Sequence, residues 1–217
     1  ERVMRVSLVE NKKKHFEKLL SNYSCQHVKL NILSTGDLLT LVGKNSTHQG
    51  VVAECKLQKN YNESDLAQIL QQTEIPLVLI LDQVQDPHNL GACLRTANAM
   101  GACCVIIPKD QSVGITPVVQ KVSCGATVLT PLISVVNLSR TLKKLQAEGL
   151  WLVALDMEAK HSLKEIDLTG PIALVMGSEG RGIRDLTRKN CDYIAKIPMA
   201  GTVSSLNVSV ATGMALY

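Results

Sequence analysis

The chain has 217 residues, 46% of them hydrophobic, and a formal net charge of +4. This length is enough for a well-filled core in one large domain or two small ones. The sequence contains neither an apolar run of the roughly 20 residues that span a bilayer nor an opening signal segment, so we expect a soluble, cytoplasmic protein.

Residues 1–58 predict a small α/β unit that carries the net positive charge. Short β-like runs at 3–9, 28–33 and 51–55 alternate with amphipathic stretches at 13–20 and 37–41. This part holds nine Lys or Arg against five Asp or Glu, whereas the remainder holds fourteen of each. The excess favours contact with a polyanion, although the lysines at 12–14 are equally well explained as a solvated helix face.

Residues 59–75 are polar and end at Pro76, which predicts a linker that partly forms a helix. A third segment, 76–217, repeats strand, loop and helix. Its apolar runs lie at 77–81, 104–108, 151–155, 173–176 and 193–197, and its helical stretches at 91–100, 136–148 and 183–190. Continuously apolar strands separated by helices predict an α/β fold whose parallel sheet is covered on both faces.

Three polar, glycine-bearing loops follow three of these predicted strands. They lie at 86–95, 177–182 and 198–213. Ligands of open α/β sheets gather beyond the carboxyl ends of the strands, so the three loops predict one shared site.

The first loop has both a structural and a functional interpretation. Asp86 and Pro87 favour a turn, Asn89 is a natural helix cap, and Arg95 lies under two helical turns further along, near the side that carries the loop. Asn89 could only cap and Arg95 could be an ordinary exposed arginine. His88 could act as a general base or serve only as a polar turn residue.

The other two loops exclude several familiar chemistries. The segment 177–182 has neither the G-K-[ST] of a phosphate loop nor the spacing of a dinucleotide fingerprint, so Glu179 lies either in a ligand loop or in a plain tight turn. Residues 198–213 offer Ser205, Asn207 and further hydroxyl groups. The absence of a G-x-S-x-G elbow disfavours a serine hydrolase.

The seven cysteines support neither disulfide bonds nor a metal site. Their number is odd and none falls in a C-x-x-C spacing. Cys93, Cys103 and Cys104 lie in or beside apolar stretches, so we interpret them as small buried hydrophobic residues.

Taken together, segments 89–95, 174–183 and 197–211 resemble the three motifs of the SpoU, or SPOUT, family of RNA ribose 2′-O-methyltransferases. Within that family the likeness is closest to the bacterial enzymes that methylate a guanosine ribose in 23S rRNA. Residues 1–56 resemble the accessory RNA-binding domain related to ribosomal protein L30e. The resemblance therefore implies a chain trimmed at both ends, with a C-terminal trefoil knot, S-adenosylmethionine as cofactor, a homodimer formed through the knot domain, and no metal.

The resemblance also implies roles for individual residues. It places the cofactor against Gly177, Ile197 and Leu206, with Leu155 and Met199 nearby. It gives Arg95 the activation of the ribose hydroxyl, and we interpret this as phosphate binding and stabilisation of alkoxide charge, because guanidinium stays protonated in proteins. The resemblance also matches other polar motif residues to Asn89, Glu179, Ser205 and Asn207. These residues would hold the arginine and the ribose. Glu179 could instead accept the proton.

Alternatives remain open at this stage. A tRNA 2′-O-methyltransferase would carry the same motifs, although the match over 130–140 and the N-terminal part favours rRNA of the large subunit. A non-catalytic RNA-binding protein and a nucleotide-binding oxidoreductase are less well supported. Aromatic residues are 3% of the chain, so phosphate and shape contacts are expected in place of a base-stacking platform.

Overall fold

The computed structural model describes residues 3–23, 27–43, 46–55 and 61–217. It divides into two compact units, Glu1–Lys59 and Asn60–Tyr217. Cys25 and part of the predicted linker at 59–75 lie outside the described residues. No helix in the described ranges is long and apolar enough to cross a membrane.

The first unit is a three-stranded sheet with helices in its connections. The sheet order is β2-β1-β3, with β1 parallel to β2 and antiparallel to β3. The elements are β1 (Val3–Leu8), α1 (Lys13–Asn22), β2 (Lys29–Ile32), α2 (Thr35–Val42) and β3 (Val51–Cys55). The predicted strands and helical stretches of this part are confirmed. α2 begins where the Ser34 hydroxyl accepts a hydrogen bond from the Asp37 N–H, which satisfies one of the free donors of a first helical turn.

The second unit is built on a parallel sheet. Its seven strands, all within 61–217, are β4 (Leu77–Asp82), β5 (Cys104–Pro108), β6 (Leu132–Val135), β7 (Trp151–Leu155), β8 (His161–Ser162), β9 (Ile172–Gly177) and β10 (Tyr193–Lys196). They lie in the order β6-β5-β4-β9-β7-β10-β8, and each neighbouring pair is parallel. The five predicted strands are confirmed. Two strands were not predicted: β6, whose short apolar run is interrupted by the exposed Ser134, and β8, which has two residues.

Helices cover both faces of this sheet, as predicted. They are α3 (Leu66–Leu70), α4 (Pro87–Ala99), α5 (Pro117–Val122), α6 (Ala126–Leu129), α7 (Leu138–Ala147), α8 (Asp185–Lys189) and α9 (Val208–Leu216). Alternate side chains of the central strands enter two separate apolar clusters, because a strand directs successive side chains to opposite faces. Leu79 lies in one cluster and Ile80 in the other, and both are fully buried.

The start of α4 corrects the sequence interpretation. Its cap is Asp86, whose carboxylate accepts a hydrogen bond from the His88 N–H at 3.0 Å, and Pro87 occupies the first helical position. Proline suits that position because its missing N–H would have no partner there. Asn89 therefore lies inside the first turn, where its side chain is free to bind another part of the chain.

The described cysteines of this unit behave largely as predicted. Cys93 and Cys104 are buried, Cys103 is half-buried, and the structure shows their thiols unbridged. Burial raises the pKa of the Cys93 thiol to about 11 and, with help from Asp192 and Asp82, that of Cys191 to about 12. Both thiols are therefore protonated at neutral pH and pack as small apolar side chains.

Candidate active site

Two of the three polar loops leave neighbouring strands at one edge of the sheet. β4 and β9 are paired in register up to Asp82 and Gly177, so the loops after them start side by side. The third loop follows β10 and leads into α9.

Hydrogen bonds between two amides and a carboxylate join all three loops. The Asn207 Nδ2 donates to Glu179 Oε1 at 2.5 Å and to Asn89 Oδ1 at 3.0 Å, and the Asn89 Nδ2 donates to Glu179 Oε1 at 3.1 Å. The backbone N–H of Val208 lies 3.5 Å from the same carboxylate oxygen. We call Asn89, Glu179 and Asn207 the amide–carboxylate cluster. It confirms the prediction that the three loops meet in one place.

Asn207 has a second role that the sequence analysis missed. Its Oδ1 accepts hydrogen bonds from the Ser209 N–H at 2.9 Å and the Val210 N–H at 3.4 Å, and so it caps α9. An asparagine directly before a helical run is the signal that could have indicated this. One side chain thus fixes the start of the last helix with its oxygen and the other two loops with its nitrogen.

A first cleft lies beside this cluster and has largely apolar walls. All five residues that the sequence analysis assigned to cofactor binding line it, and so do Glu179 and Ser205. The five are Leu155, Gly177, Ile197, Met199 and Leu206.

The loop 177–182 is a tight turn, and its residues also line the first cleft. Ser178 and Gly182 exchange backbone hydrogen bonds of 3.1 and 3.0 Å. Gly180 and Gly182 have φ of 80° and 67°, the left-handed region that glycine adopts without strain. A Cβ on Gly177 would lie 2.2 Å from the carbonyl carbon of Gly182, so the backbone approaches itself too closely there for any side chain.

A second cleft adjoins the first and is more polar. Ser178, Glu179 and Val208 line both clefts. The other polar residues that line the second cleft are Gln83, Gln85, Asp86, Asn89 and Arg181. The sequence analysis assigned no binding role to the glutamines, Asp86 or Arg181, although the glutamines follow β4 directly.

In the described part of the chain, Arg95 makes no hydrogen bond or ion pair with the other predicted catalytic residues. It is exposed on α4, it lines neither cleft of the described unit, and its Nη1 donates to the Cys124 sulfur at 3.4 Å. Glu179 is expected either to accept a proton or to hold this arginine, and its described hydrogen bonds are those from the two amides and the Val208 N–H. His88 is exposed and is likewise outside the lining of both clefts.

A buried ion pair holds the far end of the loop 177–182. The side chain of Asp82 is 0% exposed, and its Oδ1 lies 2.7 Å from Arg184 Nη2. That contact is not aligned as a hydrogen bond, so its attraction is chiefly that of the two charges, whereas the Arg184 N–H donates to Oδ2 at 3.2 Å. Asp156, in the wall of the first cleft, forms a second ion pair with Arg188 at 3.0 Å.

Comparison with known proteins places this arrangement among RNA methyltransferases. The SpoU rRNA Methylase family matches residues 76–217. A Coxiella burnetii protein named 23S rRNA (guanosine-2′-O-)-methyltransferase RlmB is 51% identical over 219 residues, which cover 100% of this chain and 87% of the relative. The protein of the same name from Pseudomonas putida is 57% identical over 171 residues, 78% of this chain and 69% of the relative.

Solved structures agree with the sequence comparison. The SpoU methyltransferase AviRb from Streptomyces viridochromogenes, crystallised with the cofactor AdoMet, superposes with a TM-score of 0.78 at 25% identity. The superposition covers 99% of this chain and 81% of AviRb.

Proposed function

Because the chain belongs to the SpoU rRNA methylase family, we propose that it transfers a methyl group from S-adenosylmethionine to the ribose 2′-hydroxyl of a guanosine in 23S rRNA. The observation that carries the proposal is the amide–carboxylate cluster, which lies where the first and second clefts meet. The relatives are named for this reaction, and the proposed substrate implies a location in the cytoplasm.

The first cleft suits S-adenosylmethionine by the chemistry of its walls. Leu155, Ile197 and Leu206 offer apolar surface for the adenine, and the glycine loop lets backbone groups approach a ligand closely. The Glu179 carboxylate also lines the cleft and suits a cationic ligand. When bound, the cofactor supplies an activated methyl group on a positively charged sulfur.

The residues of this chain then have to orient the ribose and remove its proton. The hydroxyl must lie in line with the methyl group, and rigid positioning of that kind is a large part of catalysis. Glu179 lines both clefts and its Oε1 is fixed by two amides, so we assign the carboxylate to the reacting hydroxyl as proton acceptor. Ser205 lines the first cleft, and we assign it to positioning of the reactants.

We assign Arg95 to the phosphate beside the target ribose, because it is exposed and lies outside the lining of both clefts. Arg95→Lys should lower kcat at least about tenfold, since lysine cannot copy the two-pronged contact of a guanidinium with phosphate. Cofactor affinity, measured by calorimetry, should not change. Arg140→Lys, at an exposed arginine on α7, is the control. Near-normal turnover of Arg95→Lys would refute this role.

We propose that the first unit is an L30e-like accessory domain that binds RNA through its positive charge. Residues 1–58 hold four more basic than acidic residues, nine against five. Phosphate contacts release counterions, so the affinity for RNA should fall steeply as salt rises. An affinity independent of salt would contradict phosphate binding.

We propose that the second unit ends in a trefoil knot and forms homodimers through α9. Val210 and Met214 lie one turn apart on one face of α9 and are 51% and 53% exposed. Burying these side chains against a second copy would remove them from water. A monomer in light scattering at micromolar concentration would contradict the dimer, and a crystal structure with an unthreaded C-terminus would contradict the knot.

The function is tested by methyl transfer from labelled S-adenosylmethionine to unmodified 23S rRNA and, in parallel, to unmodified tRNA. Mass spectrometry of the digested nucleosides should find 2′-O-methylguanosine in the rRNA alone. Label confined to tRNA would establish the alternative substrate, and cofactor binding without any transfer would indicate an RNA-binding protein that has lost the reaction.

A further inference from the structure

The second cleft is lined by polar side chains that have unused hydrogen-bonding capacity towards the described part of the chain. Among the residues that the structure describes, the side chains of Gln85 and Arg181 make neither a hydrogen bond nor an ion pair, and both line this cleft. Asp86 also lines it, and the only hydrogen bond of its carboxylate in that part of the chain is the one from the His88 N–H to Oδ1. A carboxylate has about four acceptor positions, so most of its capacity faces outwards.

Two of the residues that line the second cleft, Gln83 and Val84, are hydrogen-bonded to the segment 111–113. Gln83 and Gln111 have φ of 65° and 61°, unusual for residues with side chains, and the Gln83 amide donates to the Gln111 amide oxygen. The backbone N–H of Val113 donates to the carbonyl of Val84 at 3.0 Å, so the segment after β4 is bonded to the segment after β5. Backbone of this kind persists where the surroundings hold it, and the two hydrogen bonds supply that support to Gln83 and Val84.

We propose that the second cleft recognises the guanine base of the target nucleotide, with the Asp86 carboxylate accepting hydrogen bonds from N1–H and the N2 amino group and the Gln85 amide donating to O6. This inference rests on the proposed function. Guanine presents two adjacent donors and one acceptor along its pairing edge, and a carboxylate beside an amide is the complement of that pattern. Adenine presents an acceptor at N1 and no amino group at C2, so it would leave the carboxylate unpaired.

The position of the cleft supports the assignment. Ser178, Glu179 and Val208 form a wall common to both clefts, so a base in the second cleft lies next to the methyl donor in the first. Flipped or single-stranded bases are read in just this manner, by hydrogen bonds to the pairing edge inside a pocket next to the chemistry. Arg181 adds a positive charge for the nucleotide's phosphate or carbonyl oxygen.

The test compares bases at one position of one RNA. In a 23S rRNA fragment, the guanosine that mass spectrometry identifies as methylated is replaced by inosine, which lacks the N2 amino group, or by adenosine. We expect the wild-type protein to methylate guanosine fastest, inosine more slowly and adenosine slowest. Asp86→Asn should reduce the preference for guanosine over adenosine by roughly 5- to 150-fold, the range for one two-pronged base contact. Asparagine keeps the helix cap, so α4 should be unaffected.

A matched control is Asp167→Asn. The Asp167 carboxylate accepts from the Thr169 N–H at 3.0 Å, in the same local turn that Asp86 makes with His88, but it lies outside the lining of both clefts. This variant should keep the wild-type preference. Equal wild-type rates for guanosine and inosine, or an unchanged preference in Asp86→Asn, would overturn the inference and leave the proposed function standing. Failure of the wild-type protein to methylate any guanosine would overturn both.

Discussion

Replacing Gly177 with alanine should remove tight cofactor binding and, with it, methyl transfer. The new Cβ would lie 2.2 Å from the carbonyl carbon of Gly182 and 2.4 Å from both its oxygen and the nitrogen of Ile183. These are backbone atoms of the turn that lines the first cleft, so the turn itself would have to open. We expect cofactor affinity to fall at least tenfold and the free energy of unfolding by about 1–3 kcal/mol, as in other overpacked sites.

Gly170→Ala is the matched control for this change. A Cβ there would have no neighbour within 4 Å, so the substitution should alter the free energy of unfolding by no more than about 0.5 kcal/mol. Calorimetry with S-adenosylmethionine and urea denaturation measure the two effects separately. Wild-type cofactor affinity in Gly177→Ala would show that the turn does not form part of the cofactor site.

Replacing Arg184 with methionine should destabilise the second unit strongly. It would leave the Asp82 carboxylate, 0% exposed, without a charged partner, and breaking a buried ion pair from one side costs about 3–5 kcal/mol. The Arg184 side chain is 42% exposed, so water can reach part of the site and we expect a loss near the lower end, about 3 kcal/mol. Urea denaturation gives the free energy of unfolding.

Two further variants identify the cause of that loss. Arg140→Met breaks the ion pair between Arg140 and Glu63, in which the arginine side chain is 59% exposed. Surface ion pairs of this kind contribute less than about 1 kcal/mol to the free energy of unfolding. The double variant Asp82→Leu with Arg184→Met removes both charges and should recover much of the lost stability. If Arg184→Met and Arg140→Met lowered the free energy of unfolding equally, Arg184→Met would not have left an unpaired charge on the Asp82 carboxylate.

The parts of the structure that the sequence predicted are those set by local pattern. Continuous apolar runs located five strands of the parallel sheet, and the polar loops after them located the site. β6 was missed because Ser134 breaks its short run, and the cap of α4 was placed at Asn89 because Asp86 and Asn89 are both good capping residues. Only the geometry of the turn decided between them.

The parts that were missed depend on contacts between distant positions. Arg184 pairs with Asp82 across 102 residues, and no local spacing marks either residue as a partner of the other. The family resemblance pointed to Gly177, Ile197 and Leu206 in the first cleft. It did not point to the second, polar cleft, which exists because the loops after β4 and β9 lie together. The contact of the Arg95 guanidinium with the Cys124 sulfur, 29 residues further along the chain, was likewise not marked by any local pattern.

The double use of Asn207 has a consequence for the order of events during synthesis. Its partners lie 118 and 28 residues earlier in the chain, so the longer of the two contacts closes a large loop and is slow to form. A growing chain that has exposed only its first two polar loops has neither the cap of the last helix nor the link between those loops and the third. We therefore expect the first cleft, whose wall includes Leu206 and Val208, to form only after the segment around Asn207 has been synthesised.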